Sequence, residues 1–249
     1  MSRSVRLSVF LLAAAGGAAL MVWGFTGLPS FGHYNGVYGH VINERGVAER
    51  HATNVVNTIV FDYRGIDTVG EEFILFAAVM GVTLLLRVQR REREEPPEDH
   101  AAERKLVDTS DAVRAGALML IAPLVLLGMY VVVHGHLTPG GGFQGGVVLA
   151  GAPIMIYLSG RYLAFRRVSP MSVLDFSEGA GAGGFVVIGL IGMIVGSAFL
   201  LNFLPIGQSG NVFSGGTLPP INLSVGLEVA AGVALVVYEF LEQTLMVRG

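Results

Sequence analysis

"GALMLIAPLVLLGMYVVVHGHLTPGGGFQGGVVLAGAPIMIYLSG", Gly116 to Gly160, places two apolar runs around a glycine-rich joint. The joint, His134 to Gly146, contains six glycines, Pro139 and two histidines. Taken alone it has three readings: a phosphate-cradling loop, a metal site, or a turn between membrane helices. The residue types exclude the first, because "GGGFQGG" lacks the lysine and hydroxyl with which such a loop holds phosphate and magnesium. The second is weak, because His134 and His136 have no further ligand-type neighbours and a zinc site needs more than two. The flanks favour the third. Each run is roughly twenty residues, the length that crosses a bilayer core at about 1.5 Å per residue.

The rest of the chain agrees. Of 249 residues, 52% are hydrophobic and 14% charged, with mean hydropathy +0.62. That is too apolar for an ordinary soluble domain of this size. The net charge of -3 gives no electrostatic case for a nucleic-acid partner. The absence of cysteine excludes disulfides, iron–sulfur ligation and thiol chemistry. Apolar runs predict six spanning helices: about Leu7–Phe25, Gly70–Leu86, Arg114–Val133, Phe143–Phe165, Gly179–Leu204 and Ile221–Met246. The expected fold class is therefore an all-α integral membrane protein. The first run follows Arg3 and Arg6, as a secretory leader would, but no small-x-small cleavage site follows it. It reads as a retained helix.

The basic residues orient the six spans. With the N-terminus inside, thirteen of the sixteen Lys and Arg residues fall on inside segments, and only Arg45, Arg50 and Arg64 fall outside. The positive-inside rule then predicts both termini on the cytoplasmic side. "RVQRREREEPPEDHAAERK", Arg87 to Lys105, has two adjacent prolines and dense mixed charge that lipid does not accept, so it reads as a cytoplasmic linker. The expected organisation is a two-helix module over residues 1–90, a linker over 91–105 and a four-helix domain over 106–249. Glycine-rich runs such as "GAGAGGFVVIGLIGMIVG" suit close helix packing in lipid. Gly145 and Gly146 would serve the same end at the start of the fourth helix, after a tight turn built on Pro139, Gly140, Gly141 and Gly142.

Residues 47–63, within "AERHATNVVNTIVFDYRG", show helical periodicity, with Ala48, Ala52, Val55, Val56, Ile59, Val60 and Tyr63 on one side. The run is too short and polar to span. It either lies in the interface or re-enters the membrane against protein. Such a helix would bring His51 to the outer mouth of any path.

Ionisable side chains near the bilayer core face a cavity or a partner. Glu71 and Glu72 open the second span, with Asp67 one turn before Glu71 on the same face. Glu71 is the expected holder of a proton or cation, though a helix start stabilises a carboxylate by itself. Glu72 points about 100° away and is not expected to share that role equally. In the last span Glu228 lies about 10 Å below Ile221, and Glu239 falls three turns later on nearly the same face. Asp175 and Glu178 read as exposed residues at the start of the fifth helix. His134 and His136 are expected at the outer rim, where an imidazole is suited to relaying protons. No soluble-enzyme constellation and no cofactor motif is present.

"GHLTPGGGFQGGVVLA", "NFLP" and "FSGGTLPPINLSVGLEVAAG", starting at Gly135, Asn202 and Phe213, resemble in order three blocks of the MnhB (MrpB) family. That family comprises membrane subunits of multisubunit Na⁺/H⁺ antiporters, and the likeness covers about Leu106 to Gly249. "NVVNTIVFDYRGIDTVGEEFILFAAVMGVTLLLR", Asn54 to Arg87, resembles the C-terminal region of the large MnhA (MrpA) subunit and is similar to subunits of membrane-bound hydrogenase complexes. The resemblance implies residence in a prokaryotic cytoplasmic membrane, large A- and D-type and small C-type partner subunits, and exchange of Na⁺ for protons without a cofactor. It maps the family's acidic position onto Glu71, with Asp67 in the same block, and implies transient Na⁺ near Glu71 rather than a structural or redox metal. At "GLEV" the chain departs from the "GLKV" common in the family, so a role borrowed for Glu228 does not transfer. A membrane subunit of a hydrogenase-related ion-pumping complex and a purely structural scaffold are the alternatives.

Overall fold

The computed structural model of the chain describes residues 3–28, 31–32, 36–86 and 109–246. The linker expected over Arg87–Lys105 lies outside the described residues, as does Arg248. All regular structure among the described residues is helical: α1 (Arg3–Thr26), α2 (Val37–Arg50), α3 (Val55–Thr58), α4 (Gly65–Leu86), α5 (Asp111–Val133), α6 (Gly142–Val168), α7 (Met171–Gly196) and α8 (Leu218–Met246). Helix α3 runs into a π turn at Ile59–Tyr63. Six of these helices, α1 and α4 to α8, are long and apolar enough to cross a membrane. The count matches the one read from the apolar runs, and the chain is a multi-pass membrane protein.

Chain contacts divide it into a unit of residues 1–41 and a unit of residues 42–249. The first contains α1, whose spanning window exposes all of its side chains. The second is built around α8. There α6, α7 and α4 pack against α8, and α5 packs against α6. Of the spanning window of α8, 61% is buried, against 28% or less in every other span, so α8 is the core helix. Its fully buried residues include Leu218, Ile221, Val225, Val229 and Leu235.

Lipid tails are as apolar as leucine, so close backbone approach rather than apolar burial holds such helices together. The glycines supply it. A Cβ at Gly146 would strike the Gly226 carbonyl and Val229 of α8, and one at Gly181 of α7 would strike the backbone of Ser224 and Glu228.

Two helix limits differ from the sequence expectation. The fifth span starts at Met171, after Pro170 in extended conformation, and stops at Gly196 rather than Leu204. Ser197 adopts a left-handed conformation, φ +66°, and Leu200 N–H turns back to donate to the Gly189 carbonyl at 3.2 Å. The helix over residues 47–63 is not continuous. Helix α2 ends at Arg50, His51 takes φ +50°, and Asn54 starts α3 by accepting from Asn57 N–H at 3.2 Å. The buried face then carries Ala52, Asn57, Thr58 and Phe61, whereas Val56 is 68% exposed.

The glycine joint closes over this short segment. Asn54 Nδ2 donates to the carbonyls of Gly135, Thr138 and Gly140 at 2.7, 2.8 and 3.1 Å. Asn57 and Asn222 exchange reciprocal amide bonds, each 3.0 Å, and Gly142 N–H donates to Asn222 Oδ1 at 2.8 Å. Glycine is required sterically, because a Cβ at Gly135 would overlap Asn222 and Gly140 sits at φ +123°. A second loop closes beside it. Asn202 Nδ2 donates to Asp62 at 2.9 Å and to the Gly215 carbonyl at 3.0 Å, while its Oδ1 accepts from Thr217 N–H at 2.8 Å. His136, expected at the rim, is instead fully buried, because Asn54 N–H bonds to its carbonyl and Gly215 packs on its ring. Its Nε2 lies 3.5 Å from the Asn211 carbonyl and its Nδ1 has no hydrogen-bond partner.

Two stability effects follow from this layer. Asn222→Ala leaves the Asn57 amide and Gly142 N–H without partners inside the protein. At about 1–3 kcal/mol per orphaned buried group, it is expected to cost about 2–4 kcal/mol, read as a lowered thermal unfolding midpoint in detergent. Burial holds the His136 imidazole below the ordinary histidine range, and His134 adds to this. The unfolded chain then binds the extra proton first as pH falls. The stability from neutral His136 is full above the unfolded value of about 6.5 and is lost as pH falls through the folded-state value. Unfolding midpoints measured across that range should fall in the wild type and less steeply in His136→Asn.

Candidate functional site

A cleft of about 260 Å³ opens where the π turn, α4, the glycine joint and α8 meet. Its polar lining is Asn57, Thr68, Glu71, Glu72 and Gln144; Val56, Val60, Phe61, Phe143 and Val225 supply apolar walls, with Gly140 alongside. The π turn shapes one wall. Arg64 N–H donates to the Ile59 carbonyl at 2.8 Å, five residues back, and Thr68 Oγ1 donates to the Val60 carbonyl at 2.6 Å. A π turn widens the helix locally, a device that recurs at functional sites. Phe61 then packs edge-on against Phe185 of α7, ring centroids 6.0 Å apart.

The ends of this wall are fixed by charge. Arg50 Nε lies 2.7 Å from Asp62 and its guanidinium sits 5.1 Å over the Tyr63 ring. Tyr63 donates to Glu49 at 2.6 Å. Burial, reinforced by that bond to a carboxylate, pushes the Tyr63 phenol up to about 12.

The two adjacent glutamates of α4 divide the cleft between them. Glu71 is exposed at its rim, and Glu72 is 1% exposed. Glu72, about 100° from Glu71 as helix geometry requires, is the one that faces the helix core, while Glu71 lines the cleft mouth. The packing face of α4 is Gly65, Thr68, Glu72, Val79 and Thr83, while Phe73, Ile74, Leu84 and Leu85 point outward. Small and polar side chains thus face protein and bulky apolar ones face away, as lipid demands.

Behind Glu72 lies Glu228 of α8, fully buried, and the two carboxyls meet side chain to side chain. No N–H or O–H group of the described residues donates to any of their four oxygens. Two bare carboxylates have no donor between them, so the contact is a hydrogen bond only when one carries a proton. Glu178 of α7 is also buried, at 2% exposure, close enough to feel the charge of Glu228. This corrects the exposed position expected for it; the early start of α7 carries it a full two turns into the helix. Asp175, one turn nearer the helix start, is exposed.

The remaining candidates stand apart from this group. Asp67 is exposed and paired with Arg64 at 2.5 Å. Glu239 is buried eleven residues beyond Glu228 on α8. His134 stacks on Tyr130, centroids 4.3 Å apart, and His51 Nδ1 lies 2.5 Å from the Gly207 carbonyl. Among the described residues, no three His, Asp or Glu side chains form a metal-holding group. The structure therefore brings together Glu71, Glu72, Glu228 and Glu178. Sequence reasoning missed Glu72 and Glu178, although the spacing of Gly65, Thr68, Glu72 and Thr83 carried a signal for the first.

Comparison with known proteins agrees with this architecture. A family model described as a domain related to the MnhB subunit of Na⁺/H⁺ antiporters matches residues 112–235, and the model of the MbhE family, a component of MBH, matches residues 3–101. An uncharacterized protein of Methanocaldococcus jannaschii is 31% identical over 234 residues, 87% of each chain. A chain in the structure of the membrane-bound sulfane sulfur reductase, an archaeal respiratory membrane complex, matches with TM-score 0.69 and 31% identity over 95% of this chain and 98% of that one. A chain of the Mrp complex from Dietzia sp. DQ12-45-1b matches with TM-score 0.67 and 28% identity, over 96% of this chain but only 26% of its own length. The chain belongs to the family of membrane subunits that carry a domain related to the MnhB subunit of Na⁺/H⁺ antiporters, here preceded by an MbhE domain.

Proposed function

We propose that this chain is a membrane subunit of a multisubunit monovalent cation/proton antiporter in a prokaryotic cytoplasmic membrane. Its part is to build an ion path at the junction with neighbouring subunits of the large A and D and small C types. The observation that carries this reading is the Glu71–Glu72 pair, one carboxyl exposed at a cleft mouth and the next buried behind it, within a membrane span. Such carboxyls are costly in a membrane and are kept where an ion passes. The distribution of basic residues supports placing both termini on the cytoplasmic side.

A carboxylate at the cleft mouth exchanges one positive charge for another. A proton binds covalently and Na⁺ electrostatically, so the two compete for the same oxygens. The gradient supplies the free energy, about 2.3 kcal/mol per charge per 100 mV. No covalent chemistry is assigned to the chain.

One observation favours a second setting. The match to the respiratory complex spans essentially the whole of that partner's chain, whereas the match to the Mrp complex spans about a quarter of its chain. A subunit of this length and order therefore also suits an ion-pumping oxidoreductase whose redox centres lie in other chains. Purification of the native complex separates the settings: nickel–iron or iron–sulfur subunits co-purify in the second and are missing in the first.

Glu71→Gln tests the path. In the assembled complex it is expected to lower Na⁺-dependent proton flux about tenfold or more, equivalent to ~1.4 kcal/mol on the limiting step, with normal subunit assembly on native gels. Wild-type flux with normal assembly would exclude Glu71 from the path and favour the scaffold reading.

A further inference from the structure

The interior of the chain holds acids that the cleft alone does not explain. Glu72, Glu228 and Glu178 come from three helices, α4, α8 and α7, and each is at most 2% exposed. Glu72 and Glu228 meet directly, and both oxygens of each lack a donor. Glu178 Oε1 also lacks one, and it lies 3.6 Å from where a Gly232 Cβ would stand, one turn below Glu228 on α8. Among the described residues, the charged groups facing this cluster are Glu71 from α4 and Asp175 from α7, and no lysine, arginine or histidine is among them.

The ends of the row open on opposite sides of the bundle. The start of α4 abuts Leu200, just past the end of α7, so Asp175 near the start of α7 lies toward the other face. Exposed Glu71 therefore stands at one end, exposed Asp175 at the other, and three buried carboxyls lie between.

We propose that Glu72, Glu228 and Glu178 form a proton relay through the interior of this one chain, which passes protons and excludes Na⁺. This deepens the antiporter reading and rests on it for the direction of use. Three anions without a cation are strongly disfavoured in such an interior, so the cluster holds protons. Glu178 releases its proton toward the exposed Asp175 end and takes one from Glu228; the Glu228 carboxylate so left takes the proton of the Glu72 hydroxyl, and Glu72 is reprotonated from the cleft. A desolvated hard cation instead needs a shell of converging oxygens, and no three acids among the described residues converge in that way. Na⁺ is thus confined to Glu71 and the open cleft.

Infrared difference spectroscopy of the native complex reads the relay without any transport assay. The wild type at neutral pH is expected to show a carboxylic-acid C=O band that is insensitive to saturating Na⁺ and is lost in Glu72→Gln/Glu228→Gln. Absence of that band, or its loss on Na⁺ addition, overturns the relay. In liposomes, Glu228→Gln is expected to lower proton flux about tenfold or more, whereas Glu228→Asp restores part of it. Wild-type flux in Glu228→Gln also overturns it. The infrared arm stands even if the complex proves to couple protons to no cation at all, so failure of the antiporter reading and failure of the relay are told apart.

Discussion

The reciprocal amide pair between Asn57 and Asn222 is the contact on which the arrangement turns. Irregular backbone at membrane depth is tolerated only where protein satisfies its polar groups. The chain has irregular backbone in quantity, from His51 to Asn54, from His134 to Gly141 and from Ser197 to Thr217. Asn222 answers for much of it from the first turns of the core helix. It binds the Asn57 amide, the Gly142 N–H and its own Leu218 carbonyl, so it is fully used. Asn54 does the same from the opposite side with three loop carbonyls. With both in place, the short α3 segment and its π turn are pinned against α8. That docking creates the cleft and brings α4 near enough to place Glu72 on Glu228.

The glycine joint has its role in this context. It is neither a phosphate loop nor a metal site but the acceptor surface for Asn54 and the start of a helix pressed against α8. Gly142 and Gly146 touch α8 so closely that a methyl group at either would collide with backbone carbonyls. The carboxyls of Glu72 and Glu228 are buried in this packing without a donor from the described residues, which is the condition the proposed proton sharing needs.

Much of this fold was legible in the sequence because lipid imposes lengths. Six apolar runs near the span of a bilayer could be counted before any contact was known, and the described residues hold six helices of that kind. The helix limits that shifted are those set by tertiary bonds: Ser197 stops α7 in a left-handed turn, and the Leu200 N–H bond to Gly189 lies beyond local pattern. The break at His51 escaped notice because apolar residues continue through it in helical register. Only Asn54, engaged with a loop more than eighty residues away, makes the new start necessary. His136 looked like a rim residue for the same reason, since its burial depends on segments contributed by both sides of the chain.

The candidate site was half legible, and the missing half has a physical cause. Helix α4 is apolar on all sides, so a search for its hydrophobic face finds no preference. In water the large apolar residues would mark the buried side. In lipid the rule inverts, and Gly65, Thr68, Glu72 and Thr83 mark it instead. The weight placed on Glu71 came from its place in a block and from Asp67 one turn before it, yet Asp67 turns out to serve Arg64 at the surface. The difference of one residue, about 100° around the helix, separates a carboxyl exposed at the cleft mouth from one buried behind it. A cation enters a site by exchanging water for oxygen ligands, and Glu71 at the open rim permits that exchange. Glu72 is 1% exposed, with Glu228 and Glu71 as acidic neighbours, so on the proposed reading protonation is the neutralisation its surroundings favour. On the proposed reading, burial alone would give adjacent positions on one helix different ion selectivity.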